Sequence, residues 1–489
     1  MYLSKSKYCN GVQCKKMLWL DKFCPLEKED ISNTSVLDNG SEVGELAKGL
    51  FGDYIDIEFN TNLTNMISDT LEVIKNNNKV VITEASFSYD NNFCSVDILK
   101  KIGNKYEMYE VKSSTEVKDI YLDDISYQYY VLTSLGYDVV KASIVYINNK
   151  YIRNKELDLN KLFNIEDVTS VVVSKQEEVK TKIKEINDYM LQKDEPLDDI
   201  GIHCVKPYDC PFFNYCTRNL PINNVFNIMR MRNSTKFNLY HKGVYTYEDL
   251  LKEDIDVKFK EQIEFELFDK EDKINKKEIK EFMSTLTYPL YFLDFETYQQ
   301  SIPLYDGIRP YEQIPFQYSL HYIESENDNL RHKEFLSEPD IDPRRGVAEK
   351  LVSDIPKDVC VLAYNMSFEK TVIKNLAELF PDLKDHLLNI RDNIKDLMIP
   401  FYNRSYYSKD MHGSYSIKYV LPALFKDDPS LDYHNLDDVH NGSEAMNAFS
   451  NMGKLNIEER RKLRYNLLKY CELDTFAMVK IWEKLKEIK

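Results

Sequence analysis

The chain has 489 residues, 43% hydrophobic and 30% charged, with a net charge of −17. That size and balance imply a globular protein of at least two domains and exclude a disordered chain. The negative charge weighs against nonspecific coating of nucleic acid, but an enzyme that grips phosphates through metal ions stays within its bounds.

CKKMLWL, from Cys14, and SEVGELAKGLF, residues 41–51, read as helices. VVITEASFSY, FCSVDILKKI and YEMYEVKSS alternate as strands. YLDDISYQYYVLTSLGYD returns to helical spacing, VVKASIVYINNKYI is again strand-like, and VVVSKQEEVKTKIKEINDYMLQ is a polar-faced helix. HCVKPYDCPFFNYC, residues 203–216, follows it. Residues 221–285 are expected to be a helical connector, with KFNLYHKGVYTYEDLLKE forming a helical hairpin. From Leu286 a second α/β domain is expected: the strands YPLYFLDFETY and KDVCVLAYN, the helix SFEKTVIKNLAELF, and a long helix that closes the chain. The expected domains are thus 1–220, 221–285 and 286–489. No apolar run spans a bilayer, and MYLSKSKYCNGVQCKKML lacks the apolar segment of a signal peptide. Nine cysteines do not read as a secreted disulfide framework, so a cytoplasmic location without membrane partners is expected.

Two constellations of carboxylates carry chemistry. In the first, Glu110 and Lys112 share one face of a strand, and a paired strand brings Asp97 to that face. Two carboxylates and an ammonium there suit Mg²⁺ or Mn²⁺ beside a scissile phosphate, with Glu84 and Glu45 as additional metal ligands. Gln128, on the following helix, is a candidate to hold the DNA backbone or support the metal shell. In the second constellation, Asp294 and Glu296 lie two apart on a strand, a costly pairing of like charges unless cations compensate it. Tyr470 and Asp474, four apart, share a helix face, and Asn365, Phe368 and Glu369 open a helix between the two segments.

The first set, with Val96–Asp97, Glu110-Val111-Lys112 and Gln128-Tyr129-Tyr130, resembles the RecB-like branch of the PD-(D/E)XK nucleases over residues 1–220. Related exonucleases of CRISPR adaptation carry a [4Fe–4S] cluster on one leading and three trailing cysteines. That resemblance points to Cys14, Cys204, Cys210 and Cys216, with Zn²⁺ as the alternative occupant and Cys9, Cys24 or His203 as alternative ligands. The second set resembles the DnaQ-like DEDD 3′–5′ exonucleases of the tyrosine subtype. It implies that Asp294, Glu296, Glu369 and Asp474 hold two Mg²⁺ or Mn²⁺ ions and that Tyr470 orients the attacking water. Glu369 stands where that family has aspartate, and Asp396 is the reserve ligand.

The whole chain resembles an uncharacterised bacterial family that fuses the two. The fold this implies is α/β multidomain, with a restriction-endonuclease-like core followed by a ribonuclease H-like exonuclease fold. The implied function is a metal-dependent DNA exonuclease on single-stranded or processed ends, in repair, recombination or defence. RNA processing, or end-binding by a protein with inactive sites, are the alternatives.

Overall fold

Strands Lys79–Tyr89 and Asn92–Ile102 form an antiparallel hairpin. Its turn residues Asp90 and Asn91 take φ of 45° and 62°, the left-handed pair that matches the twist of a two-residue hairpin. The structure is a computed structural model describing residues 2–31, 34–426 and 428–488, without the side chains of 34–39 and 434. The chain divides into two units, residues 1–220 with 300–312, and residues 221–299 with 313–489. Among the described residues the architecture is mixed α/β with three open sheets, of seven, five and two strands.

In the first unit, Lys105–Lys112 pairs antiparallel with Asn92–Ile102 and parallel with Asp138–Ile147. The helix Asp119–Ser134 is the crossover that a parallel pair requires. The hairpin ladder is interrupted at Glu84, which has φ of 55° and lies opposite Asp97. Leu3–Ser4 adds a short parallel strand beside Asn92–Phe93, and Ser4 caps the helix Lys5–Gln13. The Tyr127 hydroxyl donates to the Leu3 carbonyl, and Tyr8 stacks on Tyr127 with centroids 4.6 Å apart. These contacts deliver Lys5 to Asp97, at the middle of the strand Asn92–Ile102. Residues 300–312 complete the unit: Ile302 and Tyr311 pack on a core that includes Tyr109, Val145 and Leu162.

The five-stranded sheet of the second unit runs Arg331–Leu336, Ile314–Ile323, Leu290–Tyr298, Cys360–Ala363, Ile394–Asp396. The first two strands are antiparallel to their neighbours and the last two parallel. Because Leu290–Tyr298 is central, both its faces are covered. Tyr291, Leu293 and Phe295 pack with Val347, Val372 and Ile390. Leu290 and Phe292 pack with Leu473, Met478 and Trp482 of the closing helix. That helix, Ile457–Lys486, starts at a capping box in which Asn456 and Glu459 bond each other's backbone N–H. Phe265 and Ile279 join the same core, so the segment expected as a separate connector belongs to this unit. Among the described residues no helix is long and apolar enough to cross a membrane.

Candidate metal centre

Asp294 and Glu296 continue the face that carries Leu290 and Phe292, beneath the closing helix. Phe292 anchors that helix through Trp482, with centroids 5.8 Å apart, and the helix places Tyr470 and Asp474 one turn apart above the strand. Ligand oxygens of Asp294, Glu296 and Asp474 lie within 4.8 Å of one another, the one such group of His, Cys, Asp or Glu among the described residues. Glu296 and Asp474 are 8% and 9% exposed. The site sits where Cys360–Ala363 ends and the helix Ser367–Leu379 begins, the carboxyl edge at which open α/β sheets bind ligands.

Burial and mutual repulsion with Asp474 push Asp294 and Glu296 well above the usual carboxylate range. Burial pushes Asp474 up to about 6, moderated by hydrogen bonds from Tyr433 and Tyr470 and by the charge of Lys418. The Tyr433 hydroxyl donates to Asp474 Oδ1 at 2.6 Å. The charge of Lys418 lowers both Glu296 and Asp474. The phenol of Tyr470 is pushed far upward by burial and by Asp474, so it stays protonated as a hydrogen-bond donor.

Glu369, in the first turn of its helix, is 2% exposed and leaves Oε2 without a hydrogen-bond partner. When ionised it repels Asp294, but it stands outside the three-carboxylate group. Burial pushes it up to about 8. Asp396, the reserve ligand, is instead a loop clamp, accepting from the backbone N–H of Asn365, Met366 and Met398 at 3.0, 3.1 and 3.0 Å.

The pH dependence of the metal-free protein follows. A carboxyl whose folded pKa exceeds its unfolded value near ~4 stabilises in acid, and that stability is lost as pH rises through the folded value. Asp474 sets a window ending near pH 6 and Glu369 extends it to near pH 8. In differential scanning calorimetry with chelator, the transition of the second unit falls in temperature between pH 5 and pH 8. Saturating Mn²⁺ raises it by about 5–10 °C at pH 8 and by less at pH 5, where protons compete for the carboxylates. A larger gain at pH 5 would contradict metal binding by this group.

The first constellation assembles without forming such a group. Glu110, 1% exposed, receives Lys112 Nζ at 2.6 Å, Lys5 Nζ at 3.0 Å and Gln128 Nε2 at 2.7 Å. Lys5 also reaches Asp97 Oδ1 at 3.2 Å, and Asp97 Oδ2 accepts from the Val111 N–H at 2.7 Å. Lys112 and Gln128 both bond Asp124, at 2.7 and 2.9 Å. The divalent ion expected here is corrected on this point: the Lys5 ammonium lies between Asp97 and Glu110, and these carboxylates do not meet the metal-ligand spacing. Gln128 is fully buried, its amide nitrogen donating to Glu110 and Asp124. Glu84 borders the network and is pushed up to about 7 by burial and by Asp97. Glu45 is exposed and paired with Lys48 at 2.8 Å, apart from it. Lys5 and Asp124 were invisible as partners because neither has a fixed spacing to Asp97 or Glu110.

The cysteine-held [4Fe–4S] cluster or Zn²⁺ is likewise corrected. Among the described residues no three thiols bring their sulfurs within 4.8 Å of one another, and Cys9, Cys24 and His203 supply no substitute. All nine cysteines are free. Cys14, Cys204, Cys210 and Cys216 instead line a small pocket with Met17, Leu20 and Phe212. Cys14 caps the helix Lys15–Phe23, its Sγ accepting from Met17 N at 3.3 Å. Burial raises Cys204 to about 11 and Cys210 to about 12, so both are protonated thiols at neutral pH.

Residues 291–416 match the family model described as "Domain of unknown function (DUF2779)". That segment includes Asp294, Glu296 and Glu369 and ends before Tyr470 and Asp474. The chain is also 29% identical over 208 residues to a Mycoplasma genitalium protein described as "Uncharacterized protein MG366". The alignment covers 39% of this chain and 31% of that relative, so the chain spans about a third of the relative's length. The matched model carries no described function and does not support the resemblance to a RecB-like PD-(D/E)XK and DnaQ-like DEDDy fusion; the nuclease, hydrolase and iron–sulfur labels are withdrawn as family assignments, which leaves the carboxylate geometry as the observation that bears on chemistry.

Proposed function

We propose that the second unit is a divalent-metal-dependent phosphodiesterase acting on nucleic-acid strands, DNA first, with Asp294, Glu296 and Asp474 as metal ligands. The observation that carries this reading is the crowding of three carboxylates, Glu296 and Asp474 buried and Asp294 half-buried, whose oxygens lie within 4.8 Å of one another. Like charges held together in a protein interior demand a cation, and hard carboxylate oxygens select Mg²⁺ or Mn²⁺. When bound, such an ion supplies positive charge to the phosphate oxygens and makes water more acidic.

The chain's own groups account for the rest. Tyr433 and Tyr470 fix the rotamer of Asp474 by donating to it, while Lys418, exposed beside the carboxylates, attracts the phosphate backbone. Tyr470, held protonated, presents a donor rather than a base. Glu369 keeps its proton at neutral pH and so adds no further negative charge behind Asp294. The free thiols fit a reducing compartment, and the cytoplasm belongs to this reading.

The test is release of product from labelled single- and double-stranded DNA and RNA, with Mn²⁺ or Mg²⁺ and with chelator. Metal-dependent cleavage of any one substrate supports the reading; intact substrate in every combination sinks it.

A further inference from the structure

Resting on that reading, we propose that Arg230, Tyr402 and Tyr415, continued by Lys418, form the surface that holds a single nucleic-acid strand as it enters the metal centre. The Arg230 guanidinium lies 3.6 Å from the Tyr415 ring centroid. The Tyr402 ring meets Tyr415 edge-on at 5.0 Å and is 57% exposed. Lys418 follows three residues after Tyr415, in the first turn of the helix Ile417–Leu424, and its charge reaches Glu296 and Asp474. Aromatic planes, a guanidinium and an ammonium are thus joined by short steps to the carboxylates.

The segments that carry these groups are fixed to each other. The Tyr364 hydroxyl, at the carboxyl end of its strand, donates to the Tyr415 carbonyl at 2.8 Å. Gln262 Oε1 accepts from Met229 N at 3.0 Å, next to Arg230. Gly413 lies against the same amide, so closely that a Cβ there would stand 2.3 Å from Oε1. Gly413 also takes φ of 77°, so two requirements select glycine at this position.

The charges indicate what the surface binds. The chain holds 81 acidic and 64 basic residues, and its surface lysines and arginines are widely engaged in ion pairs. Among the described residues neither Arg230 nor Lys418 has a carboxylate partner; each lies over a tyrosine ring instead, Lys418 at 5.8 Å from Tyr433. Two cations without carboxylate partners, beside the exposed Tyr402 ring and the half-buried Tyr415 ring, suit a strand whose unpaired bases stack and whose phosphates lie along the cations. A duplex offers no free base face to such a surface.

The experiment is fluorescence anisotropy of labelled single-stranded DNA, single-stranded RNA and duplex DNA in chelator, so that contact is read without hydrolysis. Wild type is expected to bind one single strand more tightly than duplex. Arg230→Gln and Tyr415→Leu are each expected to weaken that binding by about tenfold. Arg230→Gln, an exposed position, also lowers the slope of log affinity against log salt by about one. Preference for single-stranded DNA or for RNA each supports the surface and names the sugar. No single-strand binding, equal or tighter duplex binding, or affinity and salt slope unmoved in Arg230→Gln overturns it. Strand binding through these residues without metal-dependent cleavage would leave the surface standing and remove the phosphodiesterase. Cleavage with affinity indifferent to both substitutions would do the reverse.

Discussion

Asp294→Asn is expected to lower metal-dependent cleavage by 10²–10³-fold or more, on the order of the loss seen when one preorganised electrostatic group is removed from an active site. The same variant is expected to be more stable than wild type in chelator, by about 1–3 kcal/mol. The two effects have one cause. Burial and repulsion from Asp474, Glu296 and Glu369 raise Asp294 well above the usual carboxylate range. Amidation removes a charge that the metal-free fold tolerates poorly and the bound ion requires. The Mn²⁺-induced rise in transition temperature therefore shrinks as the baseline rises. A residue that merely packed would show the opposite pairing, lower stability with the metal response intact. Calorimetry with and without Mn²⁺, alongside the cleavage assay, separates the two.

Glu110→Ala in the first unit is expected to destabilise by about 3–5 kcal/mol, the cost of breaking a buried ion pair by removing one partner. Glu110 is nearly inaccessible and accepts from Lys5, Lys112 and Gln128, so truncation leaves two ammonium groups and an amide with only Asp97 and Asp124 to compensate them. Burial and Asp97 alone would raise its pKa, but Lys112 and Lys5 outweigh them and hold it below the usual range. Its stabilisation is thus present above the unfolded value near ~4.3 and is lost as pH falls through the folded value. The two units respond to acid with opposite signs: the first loosens as Glu110 protonates, while the metal-free second unit is relieved as Asp474 protonates. Urea titration of wild type and Glu110→Ala, followed by a probe in the first unit, measures the difference. A change below ~1 kcal/mol would place the network among weak surface pairs.

Period-two alternation was enough to put Asp294 and Glu296 on one face, and Glu110 with Lys112 on another, because a pleated strand leaves no other choice. The four-residue step from Tyr470 to Asp474 was equally readable on a helix. The strand Ile314–Ile323, which pairs with Leu290–Tyr298, was not among the expected elements, and it is buried along its whole length. Its Gln317, Ser319 and His321 alternate with apolar residues as a solvent face would, yet they meet Leu467 O and Thr475 Oγ1 of the closing helix at 2.7–2.8 Å. Polar residues partnered inside a core carry no signature in a single sequence. The same blindness hid Lys5, which comes from the far end of the unit and takes the place assigned to an ion. Tyr433 was missed because it enters from a single 3-10 turn, too short to show a periodicity of its own.

Residues 300–312 belong to the first unit, although the sequence places them between two neighbouring strands of the second sheet. The backbone therefore passes from one unit to the other three times, after residues 220, 299 and 312. A single proteolytic nick cannot release either part, and a fragment ended at 220 would leave Tyr109 and Leu162 without Ile302 and Tyr311. Such a fragment is expected to be insoluble on its own and to be rescued by a synthetic peptide spanning 300–312. Evolutionary loss or duplication of one half by a simple break in the gene is closed off for the same reason.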